Sequence, residues 1–208
     1  MTPELVCDGN TVLQAEEDAD TLIVKSVLQQ SRKGNEVSVH ATDTDIIMML
    51  IHHWTDGMSN IYVRSSIVKR GSREWKQFNV SQASQTLKPK VKELILFIHA
   101  FSGCDTTSCL HEKGKSSMVK LIEKSVIAQE KAGVFCKMNA SHEEIGKAGQ
   151  RILVLLYGGD EKDTLATIRH RLFMKIAASA SKINPAKLPP TDRAAYFQSL
   201  RVFLQVIR

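Results

Sequence analysis

Between Ala15 and Gln30 the apolar residues Ala19, Leu22, Ile23 and Val27 recur at helical spacing, which predicts an amphipathic helix over that stretch. A turn at 32–36 separates it from Val37 and Val39, which alternate with polar neighbours as in a short strand. The chain then enters an apolar stretch of helical length starting near Ile46, with Asp43 and Asp45 at the junction. Residues 61–63 and 77–80 read as further short strands, and 91–101 as a buried helix. Strands that alternate with helices predict an α/β domain with a short, mainly parallel sheet. Beyond Gly114 the pattern is helical over 116–126, 142–158, 163–181 and 194–207, with turn signals at Gly133, Gly158-Gly159 and Pro185–Pro190. The expected organisation is an acidic α/β core over 1–110 and a basic helical region over 111–208 that continues the same domain.

A chain of 208 residues, 43% hydrophobic and 24% charged, has the make-up of one folded domain with a substantial core. Its longest apolar runs, such as 46–51 and 94–98, fall far short of the roughly 18 residues that cross a bilayer, so no membrane segment is expected. The first residues, MTPELVCDGN, have no basic stretch leading into an apolar run, which predicts an intracellular protein. Cys7, Cys104, Cys109 and Cys136 form no CxxC pair, and no disulfide is expected. Cys104 and Cys109 lie near His99 and His111, but the spacing matches no familiar zinc module. Gly114-Lys115-Ser116-Ser117 has Cys109 where a P-loop needs its first glycine, so no ATP site is expected.

The formal charge of +6 is unevenly spread: residues 1–110 carry 11 Lys and Arg against 13 Asp and Glu, residues 111–208 carry 17 against 9. Lysines and arginines often do no more than solvate outer helix faces. A polyanion such as nucleic acid is the sharper expectation, because bound cations displace the counterions condensed on phosphates.

The carboxylates fall in three places: Glu16, Glu17, Asp18 and Asp20 at the first helix, Asp43 and Asp45 after a strand, and Asp105 after the apolar run. Ligands of open α/β sheets sit beyond the carboxyl ends of strands, where carboxylates from several segments can converge if cations hold them together. Two magnesium or manganese ions held in this way can activate water and stabilise a leaving oxygen. Taken one cluster at a time, a helix cap or an acidic first turn is the favoured reading.

In their order along the chain, EEDADTLIV, TDTDIIMML and FSGCDTTSCLHEKGKSSMVKLI resemble the acidic helix motif, the acidic motif after a strand and the Gly-Cys-Asp turn of flap-endonuclease-like 5′-nucleases in the PIN-like superfamily. PELVCD, EEDADT, GCDTTSCLHEKGK and the late LPPT look similar to PIN-like proteins associated with mobile elements in animal genomes. The resemblance implies a three-layer PIN-like domain followed by a helical region with a helix–two-turn–helix segment. It implies metal ligands at Asp18 and Asp20, with Glu17 as an alternative to Asp18, at Asp43 and Asp45, and at Asp105. Residues 112–122 would match the duplex-binding hairpin, with Lys113, Gly114 and Lys115 on the phosphate.

What the resemblance implies is magnesium- or manganese-dependent hydrolysis of phosphodiesters, by a structure-specific 5′-nuclease acting on DNA before RNA, and a nuclear rather than cytoplasmic location. Three departures stand beside it. The part of the family that carries its first acidic motif has no match here, Glu112 takes the place of the first glycine of the turn, and Met118 that of an alanine. A catalytically inactive nucleic-acid-binding or interaction module of the same descent is therefore the second expectation, and an ordinary α/β protein with capped helices the third.

Overall fold

The computed structural model describes residues 11–16, 18–69, 72–179 and 184–207, and the chain divides into two compact units, one up to Thr86 and one from Leu87. The first unit opens with α1 (Ala19–Arg32), which buries Val24, Val27 and Leu28 on one stripe. It is followed by β1 (Val37–His40), α2 (Thr44–His53), β2 (Ile61–Lys69), β3 (Ser72–Asn79) and α3 (Val80–Thr86). In β1 only Val39 is fully buried, with Ser38 and His40 on the opposite, exposed side, as period-2 alternation requires. Ile61 and Val63 are buried at 0% and 2% exposure, and with Ile46, Leu50 and Ile51 of α2 they make the core of this unit. Each such side chain contributes about 1.5–3 kcal/mol through the apolar surface it takes from water.

The sheet runs in the order β1-β2-β3. β1 and β2 are parallel, from Val37↔Ile61 to His40↔Arg64, with α2 as the crossover between them. β2 and β3 are antiparallel, from Tyr62↔Asn79 to Lys69↔Ser72. The sheet is thus mixed, and the expectation of a mainly parallel one is corrected, because its longer ladder is the antiparallel hairpin. Val80, expected at the end of a strand, is the first residue of α3.

The described elements of the second unit are helices joined by turns. The apolar run expected as one helix divides at Leu94 into α4 (Pro89–Glu93) and α5 (Ile95–Ser102). Then come α6 (Lys115–Lys124), α7 (Val126–Gly133), a 3-10 turn at Val134–Cys136, α8 (His142–Leu156), α9 (Leu165–Ser179), a second 3-10 turn at Pro185–Lys187 and α10 (Asp192–Val206). α8 starts at a capping box: Glu144 N–H donates to Ser141 Oγ at 3.2 Å, and Ser141 N–H donates back to Glu144 Oε2 at 2.8 Å. Its buried face includes Gly146 and Gly149, against which Tyr196 and Ser199 of α10 press. A Cβ at Gly149 would lie 1.8 Å from Ser199 Oγ, so this helix pair crosses closer than any larger residue allows. Phe97, Phe101 and Phe135 fill the centre of the unit with ring centroids 4.8–6.1 Å apart. Among the described residues no helix is long and apolar enough to cross a membrane.

Candidate functional site

Asp18 sits at the N-terminus of α1 with extended backbone, and its two carboxylate oxygens face into the first turn. Oδ1 accepts from Asp20 N–H at 3.2 Å, and Oδ2 accepts from Thr21 N–H at 3.0 Å and Thr21 Oγ1 at 2.6 Å. The Thr21 hydroxyl, followed by these amides, holds the Asp18 carboxyl below the ordinary carboxylate range. Asp20 is half-buried in the first turn, and Glu17 lies outside the described residues.

Asp43, the N-cap of α2, and Asp45, in its first turn, follow the carboxyl end of β1, where open α/β sheets place their ligands. Asp43 caps α2 through Oδ1, which accepts from Asp45 N–H at 2.9 Å, while Asp45 is buried at 8% exposure. The sequence leaves capping and ligand binding open at these positions. The structure gives Asp18 and Asp43 a capping role, and capping leaves lone pairs on each carboxylate. Among the described residues no group of three or more His, Cys, Asp and Glu side chains is gathered so as to hold a metal ion.

Asp105 belongs to the second unit and its side chain is exposed. α5 ends at Ser102 because Gly103 takes φ +107°, a backbone that side chains rarely adopt. A tight turn follows: Thr107 N–H donates to Cys104 O at 3.1 Å, and Thr107 Oγ1 donates to Ala100 O at 2.6 Å. α10 ties this turn down from the side. Thr106 Oγ1 donates to Gln205 Oε1 at 2.8 Å, and Gln198 Nε2 donates to Ser108 O at 2.9 Å. The result is a rigid pedestal with the Asp105 carboxylate on its tip. Asp105 caps no helix: α6 begins at Gly114, without a side-chain cap.

A second turn, closed by Lys113 N–H donating to Leu110 O at 3.1 Å, leads into α6. Glu112 in this turn has φ +57°, the left-handed backbone that glycine takes most readily. Gly114 is the N-cap of α6 and is exposed, so the first amides of the helix are offered without a side-chain acceptor. The flanking lysines are held close: Lys113 Nζ lies 5.3 Å from the Tyr157 ring centroid, and Lys115 Nζ donates to Gly103 O at 3.3 Å. Two turns thus separate α5 from α6, with two cations and the positive end of a helix dipole at the second.

Two further features were not found in the sequence. A cavity of about 620 Å³ in the second unit is lined by Lys131, Lys147 and Arg151 together with Glu144, Asp163 and Asp192. Asp163 forms a two-pronged ion pair with Arg171 at 2.6 and 3.2 Å, and this guanidinium holds its carboxyl below the ordinary range, helped by the Asp160 N–H. The stability that Asp163 and Asp18 contribute is complete above the unfolded carboxylate pKa of about 3.8 and is lost as the pH falls below it toward their lower folded values. Unfolding midpoints followed by circular dichroism should fall as the pH drops below about 4, and an Asp163→Asn variant should show a shallower acid limb. In the first unit, one face of the sheet carries Arg64, Trp75, Gln77 and His40 around a smaller cleft of about 330 Å³. Their signal in sequence is the alternation across the β2–β3 hairpin.

Comparison with known proteins finds no matching family model, no matching curated protein and no matching solved structure. Fold and site define the class by themselves: a mixed α/β protein of two units, with Asp18, Asp20, Asp43 and Asp45 at helix starts of the first and Lys113 and Lys115 at the start of α6 in the second.

Proposed function

We propose that this chain is a PIN-like, nuclease-derived protein that binds the phosphate backbone of nucleic acid, DNA before RNA, through the turn that leads into α6. The observation that carries the reading is the uncapped start of α6 at Gly114 between Lys113 and Lys115, after a residue in the left-handed backbone. A glycine-like conformation at Glu112 is what the resemblance to a phosphate-binding Gly-x-Gly turn asks for, and the two turns between α5 and α6 suit a helix–two-turn–helix segment. The second unit, with 20 Lys and Arg against 11 Asp and Glu, supplies a positive field for a polyanion.

Magnesium or manganese is the cofactor that the acidic residues would serve. Asp43 and Asp45 suit a hard cation in their oxygen chemistry and their place after β1, but among the described residues they gain no third ligand. The three-layer PIN-like arrangement goes with this reading. Magnesium-dependent cleavage that depends on the acidic residues of the first unit, Asp18, Asp20, Asp43 and Asp45, is the second reading. It is favoured by the position of Asp43 and Asp45 at the carboxyl end of a parallel strand.

Binding of a labelled flap or duplex DNA, read by fluorescence anisotropy, tests the first reading. The Lys113→Ala, Lys115→Ala double variant should bind more weakly, with a salt slope reduced by about 2, one for each lost phosphate contact. Unchanged affinity and slope would remove the α6 turn from the interface. The same substrates incubated with magnesium or manganese test the second reading: cleavage lost in Asp43→Ala would establish it, and uncut DNA leaves the chain a binding module.

A further inference from the structure

We propose that the exposed face of the β1–β2–β3 sheet is a stacking platform for the bases of single-stranded nucleic acid, centred on Trp75. The site lies in the first unit alone and uses none of the residues of the α6 turn, so the two proposals can fail separately.

Strand alternation sets the face. His40 pairs with Arg64, and Arg64 with Gln77, in register across the three strands, and Trp75 lies two residues from Gln77 on the same side. Trp75 is 58% exposed, which is unusual for a large indole. Its ring reaches over β2 to meet the His40 ring edge-on, at 5.5 Å between centroids. Arg64 is fixed beneath this pair by its Nε, which donates to Gln77 Oε1 at 2.9 Å. Tyr62, half-buried, follows the same alternation two residues before Arg64.

The cleft of about 330 Å³ among His40, Arg64, Trp75, Lys76 and Gln77 has no carboxylate among its described lining residues, in a unit whose overall balance is acidic. A cation such as Arg64 beside an open aromatic ring on a sheet face is the combination that single strands use. Every base has a π-face to stack, the backbone phosphates need positive charge, and Gln77 and His40 can pair with base edges. An uncharged sugar would stack on the indole but would have no use for Arg64. A duplex hides its base faces and would leave Trp75 unused.

The chain contains two tryptophans, and Trp54 is buried at 3% exposure, so quenching of intrinsic fluorescence by a bound base reports on Trp75. Titration with oligo(dT) and oligo(U) of about ten nucleotides should quench the emission, because stacking on an aromatic is sequence-tolerant. Measured by the anisotropy of a labelled oligonucleotide, Trp75→Ala should weaken binding on the order of tenfold, with Trp75→Phe restoring most of it, both with an unchanged circular dichroism spectrum. The Lys113→Ala, Lys115→Ala variant should still be quenched, which separates this face from the α6 turn. Single-strand affinity that survives Trp75→Ala in full would overturn the platform. So would quenching that rises with protein concentration in the absence of oligonucleotide, which would assign the face to a second copy of the chain.

Discussion

Replacing Gly103 by alanine should lower the stability of the second unit by about 3 kcal/mol, from the strain of a left-handed alanine together with overpacking. Two causes act at once. The backbone there has φ +107°, and a Cβ would stand 2.6 Å from Cys109 Cα and 2.9 Å from Cys109 N, both backbone atoms that cannot rotate away. Relief requires the 103–109 segment to move, and with it the Asp105 turn and the carbonyl that holds Lys115. Chemical denaturation followed by circular dichroism measures the loss, and a loss below about 0.5 kcal/mol, the range of ordinary surface changes, would show that the turn can shift freely. The same variant should also bind nucleic acid less tightly, since Gly103 O orients one of the two lysines at the start of α6.

Phe135→Ala should cost about 3–5 kcal/mol, the usual range for emptying an aromatic position in a core. Phe135 is 0% exposed and sits on the 3-10 turn after α7, where its ring meets Phe97 at 4.8 Å and Phe101 at 6.1 Å. Gly149 of α8 backs it: a Cβ there would lie 3.5 Å from Phe135 Cζ. The α8–α10 crossing is already at its closest approach, so the helices cannot collapse into the space left behind. Phe135→Leu, which keeps most of the volume, should recover more than half of the loss, and equal losses in both variants would place the effect outside packing.

The helices with a clean apolar stripe were legible in the sequence. The spacing of Leu22, Ile23 and Val27 locates α1, although the face it buries is Val24, Val27, Leu28 and Ser31 and Ala19 is exposed, and the helical segment expected over 142–158 is α8. β1 was legible from Val37 and Val39 alone. What escaped was the length of the hairpin. Only Ile61, Val63 and the segment near Phe78 look like strand, because Arg64, Trp75 and Gln77 face outward and break the apolar pattern on which the reading depends. Tertiary pairing between β2 and β3, rather than propensity, extends both strands. The platform around Trp75 was hidden for the same reason: it exists only once the register puts His40, Arg64 and Gln77 side by side.

The candidate acidic site was legible as a set of positions but not as roles. Thr42-Asp43-Thr44-Asp45 by itself reads first as a cap, the ligand pair resting on its order with the other acidic motifs, and the structure shows Asp43 capping α2 through Asp45 N–H. Asp105 was open between the same two roles, and the structure sets it on an exposed turn tied to α10, capping nothing. Glu112 is the most informative departure. Its place in the turn suits glycine, its backbone is that of glycine, and its exposed carboxylate adds a negative charge where a phosphate would approach. Glu112→Gly should therefore tighten backbone binding, with relief of both the strain and the repulsion.

The salt dependence of DNA binding tests nucleic-acid recognition most directly. The association constant of the purified chain for a labelled DNA should fall between about 50 and 200 mM salt along a straight line in log–log form, with a slope set by the phosphates contacted. An affinity that does not change with salt, or no binding at the lowest salt, would contradict a phosphate-binding role for this chain.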